Sequence, residues 1–434
     1  MSPIEFGILG CVLLIVLLVS SMPVAFAMSI VGLVGFAWVV SPNAAFSLVV
    51  GDLYSTFSSY SLTVIPLFVF MGQIAFHAGI SQRLFKTAYY WLGPLPGGLA
   101  MATVGACAGF GAICGSGPAT AATMAMVALP EMKRYKYDME LGSGTVAAGG
   151  SLGMLIPPSV VFIVYGIMTE QSIGKLFLAG IIPGILIAAL FCVTIYINCK
   201  RNPHLGPAAA PTSWRQKFAS LVWVSETLAL FILVMGGMFF GLFTPTEAAA
   251  IGAAGSLVIA LVKRQLTWKL FFQSLKETAR TSCMVMAIVA GAVMFGHFLA
   301  ITQIPMNLAT WLAGLTLPGW VIIAIIVLFY LISGCFVDAL ALILLTIPIF
   351  FPVVTALNYD PIWFGVIIVV VTQMGVISPP VGVNVYVVSG IERDIPLQTV
   401  FKGALPFLLA LIIAVIILII FPQLSLFLPN LTQY

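Results

Sequence analysis

Charge is what this chain has least of. Only 7% of its 434 residues are Asp, Glu, Lys or Arg, while 62% are hydrophobic and the mean hydropathy is +1.18. Soluble domains carry about a quarter charged residues, so a water-exposed globular enzyme is excluded. The formal charge of +4 marks no polyelectrolyte partner, and no nucleic acid is expected. Histidine is scarce at three residues, and His77 and His297 sit alone on apolar segments, without neighbours at metal-ligand spacing. The seven cysteines (Cys11, Cys107, Cys114, Cys192, Cys199, Cys283, Cys335) form no CxxC pair, and most lie in apolar runs. They read as small buried hydrophobes, neither a disulfide framework nor a transition-metal site. No GxxxxGK[ST] is present, so the chain does not itself use ATP, and no organic cofactor is expected.

What the chain has is apolar runs. A bilayer core of about 30 Å takes roughly 20 apolar residues per helix, and such stretches recur from end to end. The expected class is an all-α polytopic membrane protein embedded in a lipid bilayer. The opening MSPIEFGILGCVLLIVLLVSSMPVAFA imitates a signal peptide but carries Glu5 in place of a basic n-region, so it reads as a retained first helix.

A shift of 222 residues superposes the landmarks of the two halves. Pro23 meets Pro245, Pro96-Gly97 meets Pro318-Gly319, and Pro130 meets Pro352. Tyr137-Asp138 meets Tyr359-Asp360, Gly153 meets Gly375, and Pro157-Pro158 meets Pro379-Pro380. Prolines and glycines constrain backbone geometry, so agreement at these residues implies one architecture used twice. The expected division is a first repeat over 1–197, a cytoplasmic linker over 198–220, and a second repeat over 221–434.

The basic residues give the relative orientation. Arg83, Lys86, Lys133, Arg134 and Lys136 lie in two loops whose shifted counterparts have no Lys or Arg. Conversely, 263–280 holds Lys263, Arg264, Lys269, Lys276 and Arg280, and its counterpart 41–58 holds none. Basic loops face the cytoplasm, so the repeats are inverted and each crosses an odd number of times. Five crossings per half are expected: 4–22, 24–40, 61–80, 141–169 and 176–197, then 223–242, 246–262, 282–304, 363–390 and 404–422. Both termini then lie outside, with Lys175 the only basic residue on the wrong face. Segments 97–130 and 319–352 are apolar but too short for two spans, so each reads as a re-entrant helical hairpin. Their tips fall near CGSGPAT and SGCFVDA.

Two crossings contain a Pro-Pro pair, in GMLIPPS and GVISPPV. Proline removes a backbone donor and frees carbonyls upstream. Broken helices survive in a bilayer only inside protein or along a watery cavity. Paired breaks beside paired hairpin tips, in inverted halves, point to an ion and substrate site at mid-depth. Hard cations such as sodium take oxygen ligands. The sodium-site candidates are Gly115, Ser116, Ser151, Gly153, Pro157, Gly334, Asp338, Gly375 and Ser378, and the substrate-site candidates are Thr145, Ser159, Gln373, Asn384 and Tyr386. Asp338 stands out as an intramembrane carboxylate. Asp138 and Asp360 read as helix N-caps, and Thr244-Pro245-Thr246-Glu247 as a capping box.

The blocks CGSGPATAATMAMVALPEMKRYKYD, AAGGSLGMLIPPSVVFIVYG, FTPTEAAA and DPIWFGV with SPPVGVNVYV resemble, in order and over the whole chain, the large membrane subunit of tripartite ATP-independent periplasmic (TRAP) transporters. The resemblance implies an elevator-type secondary transporter of the bacterial inner membrane, with Na+ as coupling ion. It also implies a separate small four-helix membrane subunit and a periplasmic substrate-binding protein that delivers an organic acid, such as a C4-dicarboxylate or sialic acid. This chain reads CGSG where SGSS is common in the family, Ser378 where Thr precedes the second Pro-Pro, and Val371 where an Asn is frequent. The GSGPATA variant leans towards sialic acid. Two other readings of the residues stand beside this one: a self-sufficient sodium or proton symporter of the same fold, and an intramembrane aspartyl protease using Asp138 and Asp360.

Overall fold

The computed structural model describes residues 2–209, 211–313 and 318–432. The extreme chain ends, whose side of the membrane is an expectation above, and 314–317 ahead of the second hairpin segment lie outside the described residues. Every regular element described is helical. The first half runs α1 (Pro3–Val19), α2 (Val24–Val39), α3 (Pro42–Phe57), α4 (Val64–His77), α5 (Ile80–Leu92), α6 (Gly98–Cys114), α7 (Gly117–Arg134), α8 (Met139–Ser151), α9 (Val160–Met168) and α10 (Ile173–Arg201). Then come α11 (Trp214–Leu221), α12 (Ser225–Phe239), α13 (Pro245–Val262), α14 (Trp268–Thr302) and α15 (Ile304–Ala313). The rest is α16 (Gly319–Gly334), α17 (Ala339–Ala356), α18 (Pro361–Gly375), α19 (Val383–Ile391), α20 (Leu397–Ile420) and α21 (Gln423–Leu431).

Helix starts follow local chemistry. Ser2 and Glu5 form a capping box on α1, and Thr244 and Glu247 form one on α13, each with Pro in the first turn. The Asp138 carboxylate accepts from the backbone N–H of Glu140 and Leu141 at 2.8 and 3.1 Å. Asp360 does the same for Ile362 and Trp363 at 2.8 and 3.0 Å. These side chains take up donors that the first helical turn leaves free.

Among the described residues six helices are long and apolar enough to cross a bilayer, α17 of the second expected re-entrant hairpin among them, and the bent pair α11–α12 makes a seventh when it is taken as one span. Others that the sequence suggests as crossings are shorter or interrupted. The 141–169 segment is α8, a short 3-10 turn and α9, and 363–390 is α18 and α19 around an irregular stretch. The segment expected to begin its crossing at 282 starts instead at Trp268. The 35 residues of α14 contain no Gly or Pro before Gly291, so nothing stops the helix as it leaves the apolar zone. At 1.5 Å per residue it is about 52 Å long, well beyond one hydrocarbon core. Residues 41–58, read above as a loop, form α3 behind its Ser41 cap and Pro42.

The stretch 198–220 holds the end of α10 and most of α11, and its middle is docked. Gly206 and Leu205 carbonyls accept from the Gly97 and Asp138 N–H groups, both at 3.0 Å, and the Tyr137 hydroxyl donates to the Pro207 carbonyl at 2.8 Å. Ala209 N–H donates to Gly93 O at 2.9 Å, and the Thr212 hydroxyl to Tyr90 O at 2.7 Å. His297 is not isolated either: its Nε2 lies 3.2 Å from an oxygen of Asp52 on α3, which packs beside α14.

The halves interlock. Helix α2 packs on α14 and α13 on α4; α8 packs on α20 and α10 on α18. Lys133, at the end of α7, pairs with Glu392 just beyond α19. The Tyr165 ring of α9 meets Phe351 of α17, and its hydroxyl donates to Pro361 O at 2.6 Å. The α8–α20 contact is backbone on backbone: a Cβ on Gly403 would fall 1.8 Å from Glu140 O. Gly403→Val therefore separates the two helices at a cost of about 1–3 kcal/mol. It should lower the thermal midpoint of the purified protein. Gly51→Ala, in α3 with nothing within 4 Å, should leave it unchanged or slightly raised. A Gly403→Val protein as stable as the parent would refute this packing.

Candidate functional site

Helices α6 and α7 form a helix–turn–helix pair turning at Gly115 and Ser116; α16 and α17 form another turning at 335–338. Each turn sits on the irregular segment of its own half. Gly115 has φ +64°, which favours glycine, and a Cβ there would lie 2.6 Å from Pro158 O. Its carbonyl accepts from Val160 N–H at 3.3 Å, just past the first Pro-Pro. In the second half Val381 N–H donates to Cys335 O at 3.1 Å. Glycines face one another at both seats, Gly111 against Gly153 and Gly334 against Gly375; a Cβ on Gly375 would meet the Gly334 carbonyl carbon at 2.4 Å.

The two tips then line a common space. A cavity of about 290 Å³ lies between them, lined by Cys114 to Ala119 of the first and Asp338 to Leu340 of the second. Met154, Val160 and Val161 of the first break close one wall, and Val69 and Gln73 of α4 with Thr281, Met284 and Val285 of α14 form another. Among these lining residues Asp338 is the only carboxylate, and none is basic. The tips differ in electrostatic character. Asp338 caps α17 by accepting from Leu340 N–H at 3.1 Å. Ser116 heads α7 without any side-chain cap, so the Gly117 and Ala119 N–H groups have no intrahelical partner and face the cavity region with the positive helix end.

The structure sorts the candidates read from the sequence by place. Gly115, Ser116 and Asp338 line the cavity. Gly153, Pro157, Gly334 and Gly375 lie in the buried seats beneath the tips and act through backbone approach. The hydroxyls of Thr145 and Ser151 donate to Leu141 and Ala148 carbonyls of their own helix, and that of Ser378, past the end of α18, donates to Met374 O, at 2.7 Å each; Ser159 donates to Met154 O. Each keeps lone pairs, but none of the four lines the cavity. Tyr386 is 51% exposed and lies away from it. Sequence reasoning missed Gln73 and Thr281; Gln73, an amide inside VIPLFVFMGQIAFH, was the available signal.

Gln373 and Asn384 are both fully buried at the second break. Asn384 donates its amide to Ala147 O of α8 at 3.0 Å, but its Oδ1 has no partner, and neither Oε1 nor Nε2 of Gln373 has one. Among the described residues, no group of three His, Cys, Asp or Glu side chains is placed to hold a transition metal.

These features define an all-helical, multi-pass membrane protein whose candidate site lies between helical turns of its two halves. Its fold is similar to that of the Alcanivorax borkumensis YdaH transporter, with a TM-score of 0.63 at 16% identity, covering 90% of this chain and 88% of that one. The chain belongs to the family described as the DctM component of tripartite ATP-independent periplasmic transporters, whose model matches residues 11–424. It is 39% identical to the C4-dicarboxylate TRAP transporter large permease protein of Pseudomonas aeruginosa, over 90% of this chain and 91% of that protein. It is 35% identical to the sialic acid TRAP transporter large permease protein of Vibrio cholerae, over 98% and 97%. The chain is thus a transporter large permease subunit of the inner membrane, not an enzyme, in keeping with Asp138 and Asp360 serving as caps.

An amide buried without partners costs roughly 1–3 kcal/mol. Gln373→Leu, close in volume, should raise the thermal midpoint of the ligand-free protein while reducing transport. A lowered midpoint would mean that Gln373 is already satisfied in the folded protein, and unchanged transport would remove it from function.

Proposed function

We propose that the chain drives sodium-coupled uptake of an organic acid, with the cation and the substrate bound between the two hairpin tips. The observation that carries this is the charge arrangement of the cavity: one carboxylate, an uncapped helix N-terminus opposite, and no basic side chain. A substrate carboxylate is received by the N–H groups at the head of α7, and Asp338 with nearby carbonyls receives the cation. A dicarboxylate and Asp338 bring about three negative charges, against roughly half a positive charge from the helix end. At least two monovalent cations therefore accompany each substrate.

C4-dicarboxylates are the first substrate class in this reading. The 39% identical relative is named for them, and a cavity near 290 Å³ lies at the small end of ligand sites. Sialic acid is the second, on the strength of the Vibrio cholerae relative. The two halves act as inverted repeats. The base of the first hairpin is tied through Lys133 to the far end of the second broken helix, and the base of the second meets Tyr165 in the first broken helix. That reciprocity, with both tips lining one cavity, is what inverted repeats require. The hairpins and broken helices move as one elevator body past α4 and α14. A separate small membrane subunit and a periplasmic binding protein complete the system.

The test is uptake of labelled succinate and of labelled sialic acid into proteoliposomes holding this chain and its small subunit, with an inward sodium gradient, with and without the binding protein. Uptake that needs sodium and the binding protein is expected, steeper than first order in sodium. Asp338→Asn should cut uptake at least tenfold and raise the half-saturating sodium concentration. Ser116→Ala should weaken it less. Uptake without the binding protein would favour a self-sufficient symporter. Unchanged sodium dependence in Asp338→Asn would remove that residue from the ion site.

A further inference from the structure

A second cavity, about 590 Å³, opens between α5 and α7 beside the start of α12, away from the hairpin tips. Its polarity is graded. Phe85 and Leu99 in its wall are 5% and 1% exposed and make an apolar floor. Tyr89, Tyr135 and Trp223 come next, with the Tyr89 and Tyr135 rings 5.9 Å apart and Tyr90 packed 5.6 Å from Trp223. Exposed Lys86 and Arg134 stand at the mouth. Arg134 is 3.8 Å from Glu131, and Lys86 has no carboxylate within ion-pair distance among the described residues, so the lining carries one net positive charge.

An apolar floor, an aromatic collar and a cationic mouth follow the polarity of a membrane interface, where Tyr and Trp sit at headgroup depth. Lys86 of α5 and Arg134 at the end of α7 belong to the basic segments that the charge bias assigns to the cytoplasm, where the leaflet is anionic. A partner helix, 10–12 Å across, would fill the space with roughly one turn, too little for a stable contact. We propose that this cavity binds an anionic phospholipid of the cytoplasmic leaflet, its phosphate between Lys86 and Arg134 and an acyl chain on Phe85 and Leu99. The lipid sits between α5, which follows α4 directly, and α7 of the first hairpin.

The experiment is thermal unfolding of the purified full-length chain in detergent with added phosphatidylglycerol, phosphatidylcholine of the same chains, or soluble glycerol 3-phosphate. Phosphatidylglycerol alone should raise the midpoint. Lys86→Gln with Arg134→Gln should raise its half-saturating concentration about twenty-fivefold, near fivefold per basic residue. Lys86→Arg and the distant Lys269→Ala should leave it unchanged. If the double variant does not fold, the single Lys86→Gln protein is compared instead, with bound lipid counted by native mass spectrometry. Equal stabilisation by phosphatidylcholine, an undiminished phosphatidylglycerol effect in the Gln variants, or a matching effect of glycerol 3-phosphate alone would each overturn the proposal, the last in favour of a soluble phosphate monoester.

Discussion

In hydrocarbon an unpaired backbone N–H or C=O costs several kcal/mol, and two helices of this chain are interrupted in the middle. The structure meets that constraint by seating a hairpin turn on each interruption. Val160 and Val381, at the two exits, donate to carbonyls of Gly115 and Cys335 in the turns, and Asn384 N–H donates across the second break to Val376 O. Contact this close needs backbone against backbone, which places Gly111, Gly153, Gly334 and Gly375 where they are. Hairpins, breaks and glycines form one solution to one electrostatic problem, and the cavity is what remains between the two solutions.

That cavity divides its polarity unevenly between tips of similar shape. One helix end is already occupied by its own carboxylate, Asp338, and the other is left open at Ser116. Under the proposed function the asymmetry explains why transport is coupled. Where no fixed cation lines a site, an anionic substrate is stable there only when mobile cations are bound with it. A lysine in the wall would hold the substrate without sodium, and the gradient would then do no work.

Under the proposed function, α4 approaches the first hairpin tip at Gly72, where a Cβ would lie 2.9 Å from Cys114 Cα. The scaffold side contributes Val69, Gln73, Thr281, Met284 and Val285 to the cavity, mostly apolar side chains without directional bonds. Hydrogen bonds dock Leu205, Gly206, Ala209 and Thr212 onto Asp138, Gly97, Gly93 and Tyr90. That docking ties the connection between the halves to the base of the first hairpin.

Features set by neighbours in the chain were legible in the sequence. Asp138, Asp360 and the Thr244–Glu247 box cap helices because a cap needs only the next three residues. The apolar runs declared a membrane protein, and Pro-Pro pairs and glycines announced irregular backbone, because those residues restrict the chain wherever it goes. Side-chain direction was not legible. Thr145 and Ser151 turn their hydroxyls onto their own helix and Ser159 and Ser378 onto backbone carbonyls at the breaks, Tyr386 faces outward, and Gln73 and Thr281 reach the cavity from helices distant in sequence. The length of α14 and the Asp52–His297 pair were equally hidden. Local sequence determined where this chain is apolar, where it bends and where its helices cap. Only tertiary packing decided which of its few polar groups face one another, since that depends on how helices hundreds of residues apart rotate into contact.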